Sequence, residues 1–301
     1  MNPTTAMRYM DIKKVIIPVA GWGTRSLPVT KNIPKEMLPI YNKPVIQYVV
    51  EEAVHSGLSD VVFVTNRGKT IIEDHFDYNL TLEHVLERSG KTKFLKIVRD
   101  VAEMVNVIAV RQKVQRGLGH AVLCAKEAVQ DSIFAVMVGD DMILGQDAGI
   151  KQLITVAKSE NLPVIGVMEV PREKVSSYGI IQGEEISPGL FRVRNLVEKP
   201  PVADAPSRMA IVGRYVLTAE IFNYLAEVEP GHGGEIQLTD ALKVLAHKNR
   251  LLAVRIRGER FDAGDWVEYL TANIHFALQD GGIRDDLLLR LNDLLRTYKK
   301  S

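Results

Sequence analysis

Short apolar runs separated by longer amphipathic segments dominate the first half of the chain. Residues 15–20 (VIIPVA), 61–65 (VVFVT) and 133–138 (IFAVMV) are almost wholly apolar, as strands are when both faces of a sheet are buried. Between the first two runs, from Pro44 to Gly57, apolar residues recur three and four positions apart, which predicts a helix. The order strand, helix, strand predicts a right-handed parallel crossover.

The same patterns predict most of the remaining elements. Further strands are predicted at residues 106–110, 163–170 and 251–256, and helices at 69–96, 120–130, 148–160, 219–227 and 238–248, with two amphipathic helices at the end. Residues 178–217 differ, because short alternating runs are separated by turn signals there. We therefore predict one composite α/β domain with an antiparallel region inserted into it.

Composition and charge restrict the classes of function. The 301 residues include 38 Lys and Arg against 37 Asp and Glu, a formal net charge of +1, so the basic surplus of nucleic-acid-binding proteins is missing. The lone cysteine, Cys124, is typical of a protein from the reducing cytoplasm. Residues 1–11 are polar, so we expect no secretory signal, and no apolar run approaches the roughly 20 residues of a membrane span.

A glycine-rich loop follows the first predicted strand. Residues 21–25 (GWGTR) could wrap backbone N–H groups around a phosphate, although a Gly-x-Gly turn alone is equally typical of an ordinary tight turn. The sequence lacks a Walker lysine, and prolines interrupt the helix that a dinucleotide site needs. Arg25, Lys31 and Lys35 lie on this proline-stiffened loop and predict an anion clamp, while Lys31 alone is also consistent with a plain surface position.

Two acidic strand ends predict a metal site. Asp140 and Asp141 follow the strand at 133–138, and Asp262 follows a later one. Carboxylates at strand ends line the ligand crevice of open α/β sheets and can hold Mg²⁺ together with substrate phosphates. The alternative for each aspartate is a turn or helix cap, which we expect at Asp265.

Two further sets of polar residues are candidates for ligand contacts. Glu198 and Lys199 would point to opposite faces of a strand, so both reach a ligand only if the chain turns, which Pro200 favours; a surface charge pair is the alternative. The carboxamide of Gln112 could read a pyrimidine edge beside the glycines at 117 and 119. We assign His120 no role in proton transfer.

Taken in order, these motifs resemble the sugar-nucleotide pyrophosphorylase family. The resemblance extends from about residue 13 to about residue 277 and rests on AGWGTR (20–25), IPKEMLP (33–39), QYVVEEA (47–53), GLGHAVLCA (117–125), VEKP (197–200), AIVGRYVL (210–217) and EIQLTD (235–240). It implies a Rossmann-like three-layer sandwich whose mixed sheet is mainly parallel with a small antiparallel insertion. It further implies a nucleotidyltransferase domain at 13–280, after an N-terminal extension at 1–12 and before a C-terminal helix at 281–301 with a role in homo-oligomer contacts, in a dimer or tetramer.

The resemblance also implies a role for each candidate. Ala20, Gly21, Gly23, Thr24, Arg25 and Lys35 would bind the nucleotide, Gln112 and Gly117 its uracil, Gly179, Glu198, Lys199 and Gly213 the sugar phosphate, and Asp140 and Asp262 the Mg²⁺ cofactor. One departure is Trp22, where the family has a small or apolar residue. We expect its ring to pack against the loop rather than to touch a base.

The activity expected from this resemblance is transfer of a uridylyl group from UTP to glucose 1-phosphate, giving UDP-glucose and pyrophosphate by in-line attack. Arg25, Lys35 and Lys199 would be the catalytic cations. Nucleic acid and membranes are not expected partners. One alternative is a glucose-1-phosphate thymidylyltransferase, because the same clamp would serve and one methyl group on the base gives only about 1–3 kcal/mol of discrimination. A catalytically silent nucleotide-sugar sensor is an alternative of another class, and the retained charged residues argue against it.

Overall fold

The computed structural model describes residues 12–130 and 132–298. The predicted extension at 1–12 therefore falls outside the described residues except for Ile12, and so do the last three residues of the predicted C-terminal segment.

Strands and helices alternate along most of the described chain. The strands are β1 (Lys14–Pro18), β2 (Pro39–Ile40), β3 (Lys43–Pro44), β4 (Asp60–Thr65), β5 (Asn106–Arg111), β6 (Ile133–Met137), β7 (Asp141–Leu144), β8 (Val164–Glu169), β9 (Gly179–Ser187), β10 (Leu190–Glu198), β11 (Met209–Thr218), β12 (Leu252–Arg255) and β13 (Glu259–Asp262). The α-helices are α1 (Val45–His55), α2 (Thr70–Asp74), α3 (Leu80–Arg88), α4 (Thr92–Ala102), α5 (Leu118–Cys124), α6 (Lys126–Val129), α7 (Gly149–Glu160), α8 (Ile221–Glu227), α9 (Leu238–His247), α10 (Trp266–Gln279) and α11 (Arg284–Tyr298).

A nine-stranded sheet in the order β5-β4-β1-β6-β11-β8-β12-β10-β9 forms the centre of the molecule. Strand β1 lies parallel to both β4 and β6, which confirms the predicted parallel pairing of β1 with β4 across α1. Strand β11 runs antiparallel to its neighbours β6 and β8 and also pairs with β9 through Ala210 and Ile180. Strands β11, β8, β12, β10 and β9 thereby close into a ring.

The sheet is mixed, as predicted, but it is not mainly parallel. Antiparallel strand pairs are at least as numerous in the sheet as parallel ones, because β11 runs antiparallel to its neighbours and β9 and β10 form an antiparallel hairpin. The antiparallel hairpin predicted within residues 178–217 is present as β9 and β10, but β11 does not belong to a small insertion, because it lies at the centre of the sheet. This strand is buried along almost its whole length. The charged Arg214 interrupts its apolar run, so the sequence does not show the continuous apolar pattern of a central strand.

Helices cover both faces of the sheet, and the strand residues alternate between two cores. Ile16, Val62 and Phe134 face the core that contains α5, α8 and α9. Their chain neighbours, such as Val15 and Phe63, face the core that contains α1 and α7. This period of two is the reason that the central strands are apolar at every position.

A short antiparallel ribbon, formed by β7 and β13, lies beside the main sheet and was not predicted. It pairs Asp141 with Asp262 and so joins the two acidic segments. The side chain of Asp265 caps α10 by accepting hydrogen bonds from the N–H groups of Val267 and Glu268, as predicted. Helix α11 follows and packs against α10.

Among the helices of the described residues, none is both long enough and apolar enough to cross a membrane.

Candidate active site

A cleft of about 550 Å³ opens at the carboxyl ends of β1 and β6. All the residues that we assigned to ligands or metal line it: Ala20, Gly21, Gly23, Thr24, Arg25, Lys35, Gln112, Gly117, Asp140, Gly179, Glu198, Lys199, Gly213 and Asp262. Lys31, the third cation of the predicted clamp, is exposed and does not line the cleft. The structure therefore brings together residues separated by more than two hundred positions.

The glycine loop is anchored where it leaves β1. The carbonyl of Ala20 accepts a hydrogen bond of 2.6 Å from Asn66, and the carbonyl of Val19 accepts one of 2.5 Å from the buried ammonium of Lys69. Lys69 also pairs with Glu36 at 2.9 Å, so that one buried lysine joins the two ends of the loop. Gly23 adopts a left-handed conformation with φ of 66°, which favours glycine.

Trp22 does not pack against the loop, and this prediction is wrong. Its side chain is 65% exposed, and it lies at the rim of the cleft. The interior of the loop is occupied instead by Ser26 and Thr30, which are buried, and the Thr30 hydroxyl donates to the carbonyl of Gly23 at 2.7 Å.

Lys35 and Asp140 form the tightest ion pair of the cleft, with 2.5 Å between Nζ and Oδ2. Burial alone would raise the pKa of Asp140, but Lys35 and Arg25 outweigh it and hold the pKa below its usual value. Burial likewise works to lower the pKa of Lys35, but Asp140 and Glu36 hold that pKa above its usual value. Both groups are therefore charged at neutral pH.

Asp262 is the second carboxylate of the cleft and lies close to Asp140. The N–H of Ala263 donates to the carbonyl of Asp140 at 2.9 Å, while Oδ1 of Asp262 accepts from the N–H of Gly264 at 2.7 Å. A Cβ on Gly264 would come within 2.6 Å of the Arg25 guanidinium, so Arg25 lies against this turn. Burial, and then the charge of Asp140, raise the pKa of Asp262.

This pair of carboxylates fits a divalent cation that is shared with a substrate. Burial, and after it the neighbouring charge of Asp140, raise the pKa of Asp262, and a bound cation would offset both effects. Among the described residues, no group of three or more His, Cys, Asp or Glu side chains is placed to hold a metal alone. Mg²⁺ is commonly held by one or two carboxylates, with phosphate oxygens and water completing its shell.

Arg260 is a cation of the cleft that the sequence analysis missed. Its Nη2 lies 2.6 Å from Asp141 and 3.5 Å from Asp262, and its Nη1 donates to the Tyr178 hydroxyl at 3.0 Å. Burial raises the pKa of Asp141 to about 6, although Arg260 opposes this effect. The signal was available, because Arg260 and Asp262 are two positions apart in a strand and so share a face.

Glu198 and Lys199 both reach the cleft because the chain turns between them. Glu198 ends β10, and Lys199 has a left-handed φ of 44°. The Thr239 hydroxyl donates to Oε2 of Glu198 at 2.6 Å. Gly179 lies beneath this carboxylate, which a Cβ at position 179 would approach to 3.0 Å. The turn predicted before Pro200 is thus present.

Backbone contacts fix the opposite end of the cleft. Gly117 has a φ of 94°, and a Cβ on it would meet the Glu235 Cβ at 2.7 Å. The N–H of Gly119 donates to the carbonyl of Ile236 at 2.9 Å, and the N–H of Ile236 donates to the carbonyl of Arg116 at 2.8 Å. These bonds hold the glycine segment against the residues that precede α9, next to Gln112.

Comparisons with known proteins show the family to which the chain belongs. The family model described as nucleotidyl transferase matches residues 14–278. The UTP–glucose-1-phosphate uridylyltransferase of Bacillus subtilis (strain 168) is 46% identical over 284 residues, which cover 94% of this chain and 97% of the relative.

Two solved structures are similar over nearly the whole chain. A UDP-glucose pyrophosphorylase complexed with UDP-glucose is 40% identical with a TM-score of 0.83, covering 90% of this chain and all of the other. A UTP-bound UGPase from Acinetobacter baumannii is 38% identical with a TM-score of 0.86, covering 94% of this chain and all of the other. At this identity and coverage, the chain belongs to the nucleotidyl transferase family and, within it, to the UTP–glucose-1-phosphate uridylyltransferases.

Proposed function

We propose that this protein transfers the uridylyl group of UTP to glucose 1-phosphate and releases pyrophosphate. The observation that carries the proposal is the single cleft in which Arg25, Lys35 and the carboxylates Asp140 and Asp262 face Lys199. Cations and a carboxylate pair gathered around one cavity suit a reaction between two phosphorylated substrates. The relatives named above act on, or are bound to, these same molecules.

The nucleotide would occupy the end of the cleft formed by the glycine loop, Gln112 and Gly117. Arg25 and Lys35 would lie along the triphosphate and hold the charge that develops on the departing pyrophosphate. Two unit charges about 4 Å apart repel by roughly 4 kcal/mol at an effective dielectric of 20, and the substrates bring several such pairs together. Offsetting this repulsion is the main task that the cations perform.

The sugar phosphate would occupy the other end, beside Gly179 and Gly213. Lys199 would bind its phosphate, and the Glu198 carboxylate, fixed by Thr239, would accept hydrogen bonds from sugar hydroxyls. A phosphate oxygen of the sugar then attacks the α-phosphorus of UTP, forming one P–O bond while the bond to the β-phosphate oxygen breaks. The attacking oxygen is already ionised, so the residues position the reactants and no general base is needed.

Asp140 and Asp262 would hold Mg²⁺ in this scheme. When bound, the ion would neutralise charge on the phosphate oxygens of both substrates. Lys35 keeps Asp140 ionised before substrate arrives, because the two side chains are paired at 2.5 Å. The carboxylate is thus available as a metal ligand throughout the neutral pH range.

Pyrophosphate release across a grid of nucleotides and sugar 1-phosphates, with and without Mg²⁺, tests the proposal. We expect turnover with UTP and glucose 1-phosphate in Mg²⁺ and essentially none after chelation. A preference for dTTP over UTP would indicate the thymidylyltransferase alternative. Tight binding of UTP without turnover on any sugar phosphate would indicate a silent sensor and overturn the proposal.

Two further statements belong to this proposal. We propose that the protein is a homo-oligomer whose contacts involve the C-terminal segment at 281–301, because none of the described residues of α11 is buried although the helix packs against α10. We also propose a cytoplasmic location, since the lone Cys124 is a free thiol.

A further inference from the structure

Gln112 is held by two neighbours inside the base end of the cleft. The residue is only 3% exposed, and its backbone N–H extends the pairing of β5 by donating to the carbonyl of Thr65 at 2.8 Å. Its side-chain Nε2 lies 3.3 Å from the carbonyl of Gly117 and 2.9 Å from Nδ1 of His120. A carbonyl oxygen only accepts, so the carboxamide atom that faces Gly117 must be the nitrogen.

This orientation determines the protonation of His120. Because Nε2 of Gln112 donates, Nδ1 of His120 must accept, and the ring proton of the neutral imidazole is then on Nε2. That nitrogen lies 3.8 Å from Sγ of Cys124, a weak acceptor. Burial, and then the charge of Arg116, lower the pKa of His120, which favours the neutral ring that the geometry requires.

Both N–H bonds of the Gln112 carboxamide are therefore used within the protein. Among the described residues, no hydrogen bond ends on Oε1, and this oxygen is not among the buried atoms without a partner. Since Gln112 lines the cleft, Oε1 is the atom that it offers to a ligand. A carboxamide held in this way presents an acceptor only.

We propose that His120 is a positioning residue that, together with the carbonyl of Gly117, holds Gln112 as a hydrogen-bond acceptor and thereby strengthens the selection of uracil over cytosine. This inference deepens the proposed function and rests on it for the identity of the substrate. Uracil and thymine carry a donor, N3–H, in the middle of their pairing edge, whereas cytosine has an acceptor there. A fixed acceptor pairs with uracil and thymine and repels cytosine.

The experiment compares UTP, CTP and dTTP as substrates for the wild type and two variants. His120→Ala removes the acceptor from a helix position that tolerates alanine, and His120→Asn keeps an acceptor oxygen near the position of Nδ1. We expect His120→Ala to lower the ratio of kcat/KM for UTP over CTP by about tenfold, the effect of one hydrogen bond. The ratio of UTP over dTTP should be unchanged, and His120→Asn should restore most of the selectivity.

The results separate this inference from a structural role and from the proposed function itself. An equal loss with all three nucleotides, or unchanged selectivity, would overturn the positioning role. If His120→Ala does not fold, His120→Leu keeps the volume of the ring without the acceptor and is compared in its place. If the wild type proves to lack uridylyl transfer, only the proposed function fails, because calorimetric binding of UTP and CTP to the same variants still reports whether His120 controls the selectivity.

Discussion

Asp140 interacts electrostatically with three other charged residues of the cleft. Lys35 contacts it directly, Arg25 lowers its pKa, and its charge in turn raises the pKa of Asp262. We predict that Asp140→Asn lowers kcat by about 100-fold or more, the usual effect of removing a group that stabilises the transition-state charge. Pyrophosphate release measures turnover, and thermal unfolding should show that the fold is retained.

The matched control for this change is Asp147→Asn. Asp147 is a half-exposed aspartate a few residues downstream and outside the cleft, so the same chemical change there should leave turnover unchanged. Near-normal turnover in the Asp140→Asn variant would remove Asp140 from the metal site.

Lys199 tests the division of the cleft into two ends. Its ammonium lies 3.9 Å from Glu198, too far for a hydrogen bond, so its N–H donors remain available to a phosphate. We predict that Lys199→Ala raises KM for glucose 1-phosphate at least about tenfold, as expected for the loss of a charged hydrogen bond, and leaves KM for UTP nearly unchanged.

Lys31→Ala is the control, because Lys31 is an exposed lysine outside the cleft. Steady-state kinetics with each substrate varied in turn measure the two KM values separately. If the KM values for UTP and for the sugar phosphate rise together in the Lys199 variant, the assignment of Lys199 to the sugar end is wrong.

Single residues were predictable where local chemistry is decisive. Pro200 indicated the turn that brings Glu198 and Lys199 to the same side, and the left-handed Lys199 produces it. Trp22 was not predictable, because whether an aromatic side chain packs or projects depends on the space left by its neighbours. Here Ser26 and Thr30 are the buried side chains of the loop, and Trp22 projects from it.

At the scale of elements, a buried ion pair joins the main sheet to helix α1 and to the start of β7. The guanidinium of Arg214 on β11 is fully buried and donates to both carboxylate oxygens of Glu52 on α1, at 3.0 and 2.7 Å. It also donates to the carbonyl of Asp141 at 2.7 Å, while Glu52 accepts from the N–H of Ile150 at 2.8 Å. One pair thus connects α1, β11, β7 and α7.

We predict that Arg214→Met lowers the free energy of unfolding by roughly 3–5 kcal/mol, because it leaves the Glu52 carboxylate buried without its partner. The double variant Arg214→Met, Glu52→Leu should recover part of this loss, since no unpaired charge remains. Urea unfolding of the wild type, both single variants and the double variant gives the coupling energy. Strictly additive losses would mean that the pair contributes no coupling.

Elements with long, regular patterns were predictable from the sequence, and their long-range pairing was not. The runs that became β1, β4 and β6 are apolar at every position because both faces are buried. The β7–β13 ribbon has only four residues per strand, too few for a periodic signal. Closure of the ring through Ala210 and Ile180 depends on the register between strands that are distant in the chain, which no local pattern encodes.

At the scale of the whole molecule, the C-terminal helices leave an apolar surface uncovered. Helix α11 has fifteen residues, and none of them is buried. Its exposed leucines include Leu289 at 63% and Leu294 at 55%, and Val267 and Leu270 of α10 are exposed in the same way. Contact with α10 leaves these side chains exposed, and a contiguous exposed apolar surface of this kind is typical of a protein–protein contact.

We predict that a second copy of the chain covers this surface, and that Leu289→Glu with Leu294→Glu converts an oligomer into a monomer. Two buried glutamates would each carry a desolvation cost that the contact cannot offset. Light scattering coupled to size-exclusion chromatography measures the mass. The control is Leu80→Glu, at a leucine of α3 that is 74% exposed and remote in sequence from these helices, and it should leave the mass unchanged. If the double variant keeps the mass of the wild type, α11 is not an oligomer contact; if the Leu80 variant dissociates instead, the interface lies on the helical segment that contains α3.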